Sequence, residues 1–192
     1  MGRDIVSWAA RSAWVVAGAG VLGLVTIALF FGGFGAAFGT LNDISLLVMT
    51  LAIVPVMAGF YELGGRTPMT PARASLAIGI GAVLAWCAIQ ALLIAGAVSF
   101  MYDKPASGPF AIEAVAVAVI GLWMAGANLL AGPWLRGNVR WLGVVTGLGI
   151  VVFGAGLLIG GAYDAITFVG GVPYQVLLPI WAYLVARQLK VR

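Results

Sequence analysis

The stretch WLGVVTGLGIVVFGAGLLIGGA, Trp141–Ala162, runs for 22 residues without a charge, and Thr146 is its one polar side chain. As a helix rising 1.5 Å per residue it reaches about 33 Å, against a bilayer hydrocarbon core of about 30 Å. It therefore reads as a transmembrane helix. Five comparable stretches flank it, and together they predict spans over Ser12–Phe38, Ile44–Tyr61, Ala74–Phe100, Phe110–Ala131, Trp141–Ala162 and Val172–Leu189. The expected fold is an all-α, six-helix transmembrane bundle forming a single domain over residues 1–192. The first stretch is too long for a signal-peptide core, and five more follow, so it reads as a retained helix.

Composition leaves little room for another class. The 192 residues are 63% hydrophobic and 8% charged, with mean hydropathy +1.12, whereas a soluble domain carries about 25% charged residues. The tails and loops are too short for a soluble domain. The charges that remain are sorted. Arg3, Arg11, Arg66, Arg73, Arg136, Arg140, Arg187, Lys190 and Arg192 fall on one side of the map, and Lys104 alone departs. Asp43, Asp103, Glu113 and Asp164 fall on the other side. Bases collect on the cytoplasmic side of membrane proteins, so both termini are expected in the cytoplasm and the protein in the cell (plasma or inner) membrane. Trp8, Trp14, Tyr61, Trp134 and Trp141 read as an inner aromatic belt, and Tyr102, Tyr163 and Tyr174 as an outer one. Trp86 and Trp123 lie deeper and read as packing residues. The bases form no stripe with interleaved aromatics, so nucleic acid is not an expected partner despite the net charge of +4.

Chemistry-bearing residues are scarce. The chain has no histidine, which removes His-ligated haem and zinc and the Ser-His-Asp triad. No lysine lies within a span for a Schiff base. Cys87 is single and sits in an apolar run, as a small inert side chain. No metal-ligand spacing or phosphate loop occurs, so no enzyme, cofactor or metal centre is expected. Gly18-Ala19-Gly20-Val21-Leu22-Gly23 matches GxGxxG, but a dinucleotide site needs a strand before it and a helix after it. Here it lies inside a span.

Glycines fit helix packing better. Gly35/Gly39, Gly143/Gly147 and Gly156/Gly160 are GxxxG pairs, and Gly143, Gly147, Gly154 and Gly161 lie near one face of span 5. Small residues let helix backbones approach closely in lipid. Two uses stand open: a seam within the bundle, or an interface with a second copy or a membrane-protein partner. Gly32, Gly33 and Gly35 are expected to loosen the end of span 1. Pro55 and Pro179 are expected to kink spans 2 and 6, and Pro173 suits a first helical position. A repeat is also legible. Arg11 precedes Gly18 and Gly20 at the offsets by which Arg140 precedes Gly147 and Gly149, and Arg73 precedes Gly79 and Gly81 one residue earlier. Met57-Ala58-Gly59 recurs as Met124-Ala125-Gly126. Three parallel hairpins would produce this pattern; chance spacing of abundant glycines is the rival reading.

The candidate ligand or ion site is an outer polar ring: Asp43, Gln90, Glu113, Asp164 and Gln175, all at similar expected depth. Such a ring can line a vestibule that attracts cations or hydrogen-bonds a small polar solute. The competing reading is helix capping, with Asn42 as an N-cap and Asp43 and Glu113 in first turns beside the helix dipole. Asn128 is expected to bond a neighbouring helix and Glu62 to pair with Arg66.

Arg11 at the head of span 1, Leu41-Asn42-Asp43-Ile44 at span 2, and Leu178-Pro179-Ile180-Trp181 with Arg187 at span 6 give a likeness over nearly the whole chain. On these short motifs the chain resembles a broad group of uncharacterised bacterial six-helix membrane proteins. The resemblance implies the six-helix fold and carries over no functional residue. Two functions follow from the residues: a non-enzymatic module for assembly, sensing or binding of lipid or a small ligand, or a small transporter or channel using the acidic vestibule.

Overall fold

In lipid every backbone N–H and C=O must find a partner within the chain, which an apolar helix provides. The computed structural model describes residues 2–64, 69–99 and 103–190, and it is all-helical over them. The helices are α1 (Gly2–Phe31), α2 (Ala36–Leu63), α3 (Met69–Ile94), α4 (Pro109–Leu130), α5 (Gly137–Ile159), and a sixth span made of α6 (Ala165–Val172), a π turn (Pro173–Leu177) and α7 (Leu178–Leu189). All six are long and apolar enough to cross a membrane. Arg66, Phe100, Tyr102 and Arg192 lie outside the described residues, and with them the Glu62–Arg66 pair.

Several boundaries differ from expectation, and glycine accounts for most of the shifts. α1 stops at Phe31, not Phe38, because Gly33 (φ 82°) and Gly35 (φ 115°) take backbone conformations that end a helix. The loosened end expected of span 1 is thus a turn. The residues beyond it open α2, which begins at Ala36 rather than Ile44. α3 ends before Gly96 (φ 71°), and α5 ends at Ile159, before Gly161 (φ 85°). The sixth span starts at Ala165 rather than Val172, with Asp164 as its N-cap. Pro173 is therefore internal to the span, not at its start. The π turn lies just before Pro179, whose ring would otherwise crowd the carbonyl four residues back.

The spans form a closed ring in chain order. Each helix packs on its sequence neighbours, and the sixth span packs on both α5 and α1. The turns after α1, α3 and α5 lie at one end of the ring, the turn end. The termini and the α2–α3 and α4–α5 connections lie at the other, the terminal end. Packing is closest at α1–α2 and α4–α5, whereas α3 sits more loosely between α2 and α4.

Small residues make the close seams. A Cβ at Gly121 of α4 would lie 2.6 Å from the Gly147 carbonyl oxygen of α5, and Gly154 faces Ala114 and Ala118 in the same way. Gly143 faces Asn128. Gly156 and Gly160 meet Thr167 and Asp164, and Gly39 meets Phe30. Gly39, Gly143, Gly147, Gly154, Gly156 and Gly160 thus serve seams inside one chain, whereas Gly35 has nothing against it. The repeat glycines have a related use. Gly20 of α1 receives the Pro179 ring and Gly149 of α5 receives the Pro173 ring, so the last span is wedged between two matched notches. Gly81, the corresponding residue of α3, has nothing against it.

Aromatic side chains fill the terminal half of the ring. Phe60 lies 4.8 Å from Trp134, 5.7 Å from Trp181 and 6.1 Å from Trp123 between ring centroids. The Trp181 indole N–H donates to Asn128 Oδ1 at 3.0 Å, and Asn128 Nδ2 donates to the Met124 carbonyl at 2.8 Å. Asn128 thus ties α4 to the sixth span. Trp134, expected at the interface, is buried in this cluster, while Trp8, Trp14 and Trp141 are exposed.

Candidate functional site

The acids of α2 and α4 are not caps. Because α2 starts at Ala36, Asn42 and Asp43 lie two turns inside it, about 10 Å from its end. Asn42 is buried, 5% exposed, and so cannot be the solvent-facing N-cap. α4 starts at Pro109 after Gly108, which places Glu113 in its second turn. Neither helix carries an acid in its first turn, where dipole stabilisation is concentrated. The capping explanation of Asp43 and Glu113 fails on helix length alone.

The ring geometry carries these side chains toward its axis. A small void of about 10 Å³ lies on that axis, lined by Thr50, Trp86, Val117, Ile120, Ile150 and Tyr174 among others, with residues from α2, α3, α4, α5 and the sixth span. Positions four or seven apart share a helix face. Glu113 stands four residues from Val117, Gln90 four from Trp86, and Asp43 seven from Thr50. In each case the polar residue lies nearer the turn end. Asp43 and Glu113 are both half-buried and both lie on the turn-end side of that void. The Tyr174 phenol ring and the Thr50 side chain line the same axial void. Tyr174, expected in an outer aromatic belt, is buried at the axis and stacks on Phe153 with centroids 5.4 Å apart.

The cluster is rich in acceptors. Asn42 precedes Asp43 on α2 and is buried. Its Oδ1 is buried beside Gly23 of α1 without a partner. Gln90 is 4% exposed, and its Oε1 is also buried without a partner, as is Oε1 of Gln175. Buried acceptors without donors are uncommon and call for an explanation such as an ion or ligand.

The five expected residues thus divide. Asp43, Gln90 and Glu113 share the axial faces of their helices on the turn-end side. Gln175 adjoins Tyr174 in sequence. Asp164 serves its own helix: its Oδ1 accepts from the Ile166 N–H at 2.8 Å, capping α6. Comparison with protein-family models, with curated proteins and with solved structures finds nothing that matches this chain. The site therefore rests on its own geometry.

Sequence reasoning missed Thr50 and Tyr174. Thr50 could have been found as the polar residue two turns beyond Asp43 on one face. Tyr174 had no such signal, because its burial depends on where the π turn points it. The terminal end holds two larger concavities. One, of about 510 Å³, lies where α3 packs loosely on α2 and α4, among Phe60, Leu76, Trp123 and Trp134. The other, of about 820 Å³, lies between the two ends of the chain and the end of α2. Among the described residues no cluster of three His, Cys, Asp or Glu is placed to hold a metal ion.

Proposed function

We propose that this multi-pass membrane protein is a non-enzymatic binding or sensing module that takes a small cation or donor-rich polar solute at the Asp43–Glu113 cluster. One observation carries the reading: two half-buried carboxylates, Asp43 and Glu113, lie within the spans of different helices on faces that also line the axial void, beyond the first turns where helix ends would account for them. Carboxylates within a membrane segment are costly, and they mark ligand or ion sites. The neighbouring amide oxygens of Asn42 and Gln90 have no donor, so the cluster suits a ligand that brings positive charge or N–H groups. Aromatic packing around Phe60 and Trp181 blocks the terminal half of the axis, which favours binding over passage. The sorted bases support placement in the cell membrane with cytoplasmic termini.

Binding is tested on purified protein titrated with sodium, potassium, ammonium and methylammonium, followed by thermal unfolding in detergent. At a hundredfold excess over Kd a bound ligand adds about 2.7 kcal/mol of stability. We expect one of these cations to raise the unfolding midpoint, and Glu113→Gln and Asp43→Asn to remove the effect. Asp164→Asn should leave it in place. No response to any of the four, or a response unchanged in the double variant, would refute the site. Steady uptake of the same cation into proteoliposomes would replace binding with transport.

A further inference from the structure

The larger concavity gathers bases that the chain scatters. Along α1, Arg3, Ser7, Arg11 and Trp14 follow one another at helical spacing, and the cleft sets them opposite Glu62 at the end of α2 and Lys190 at the end of α7. Three cations and one carboxylate thus share a hollow of about 820 Å³. None of the three basic head groups has a hydrogen-bond or ion-pair partner among the described residues. The apolar side chains of Val6, Ala10 and Leu189 complete its walls.

Height in the membrane identifies the occupant. α1 is 30 residues long, about 45 Å, so roughly its first ten residues project beyond a 30 Å hydrocarbon core. Arg3 and Arg11 therefore stand at the level of lipid head groups, and Trp14, part-exposed, stands at the boundary where indoles collect. Trp14 packs edge-on against Tyr183 at 5.2 Å, and the Arg187 guanidinium lies 5.9 Å over the Tyr183 ring. The cleft thus joins an interfacial aromatic surface on its lipid side.

We propose that this cleft binds the phosphate-bearing head group of one anionic glycerophospholipid, with Arg3, Arg11 and Lys190 as its phosphate contacts. Arginine matches phosphate oxygens in pairs. The apolar wall receives the glycerol ester region, which a free phosphate lacks. The site lies at the terminal end, away from the Asp43–Glu113 cluster, and does not depend on it.

Native mass spectrometry tests the assignment on full-length protein in neutral detergent, with phosphatidylglycerol, phosphatidylcholine or inorganic phosphate added. Phosphatidylglycerol should be retained as a one-to-one adduct, at least tenfold in preference to phosphatidylcholine. Each base near a membrane surface is worth roughly fivefold in binding anionic lipid, so Arg3→Gln with Arg11→Gln should weaken retention roughly thirtyfold. Arg3→Lys with Arg11→Lys should retain most of it, which separates loss of charge from loss of fold. Arg136→Gln, an exposed base outside the cleft at the same end, should bind as the wild type does. Equal retention of both lipids, or an equal loss with Arg136→Gln, overturns the site. Displacement of the lipid by millimolar phosphate overturns the lipid assignment.

Discussion

Asn128 shows how one residue can hold two helices in a medium without water. It is fully buried, accepts from the Trp181 indole and donates to the Met124 carbonyl. Gly143 leaves the room it needs on α5. Asn128→Ala would leave the indole N–H without its acceptor in an apolar interior, at roughly 1–2 kcal/mol. We expect a lower unfolding midpoint in detergent and a changed tryptophan emission; a variant as stable as the parent would show that the bond contributes nothing. The sequence made Asn128 legible as an interhelical residue but not its partner, which lies 53 positions away. Asp43 was harder still. Its role turned on whether the helix began at Ala36 or Ile44, and glycine conformations in the preceding turn decide that.

At the scale of elements, the sixth span is the informative one. Its two prolines seat against Gly20 of α1 and Gly149 of α5, and the π turn between them sets where Tyr174 and Leu178 point. A methyl group at Gly20 would overlap the Pro179 ring. Gly20→Ala should therefore destabilise the bundle by roughly 1–3 kcal/mol, as overpacking does. In a Pro179→Ala background the same substitution should do much less harm, because the ring it meets is gone. A double-mutant cycle on thermal stability measures this coupling, and additive effects would contradict the notch. The arginine-to-glycine spacing shared by spans 1 and 5 thus has a packing use. Span 3 carries the nearest analogue, yet Gly81 meets nothing. The spacing pattern was readable in sequence; the difference in use was not, since it depends on which helices flank the last one.

On the scale of the whole molecule, the consequential feature is closure. The first and last spans touch, so six helices enclose an axis rather than line up as a sheet of hairpins. Cysteines replacing Trp14 and Tyr183, in a Cys87→Ser background, should join α1 to α7 with a short bifunctional crosslinker. Cysteines at Trp14 and Leu122, on helices that do not pack together, should not crosslink within one chain. The reverse outcome would open the ring. Closure also gives polar residues of separate helices a shared direction. Asp43, Gln90 and Glu113 come from three helices, and each faces the axis only because its helix has neighbours on both sides.

The sequence by itself determined the spans, their helical form and the sorting of charge between the two ends. These follow from local properties: a run of apolar residues long enough for the bilayer, a backbone that must bond within its own segment, and bases excluded from the hydrocarbon. Tertiary structure alone decided which polar groups meet. It turned Asp164 into a cap, took Asp43 and Glu113 out of the capping role, buried Tyr174 at the axis and gathered Arg3, Arg11 and Lys190 around one cleft. The physical reason is that burial and proximity belong to pairs of helices. A residue's depth along its own span can be counted from the sequence, but the direction it faces is set by which helices pack on either side.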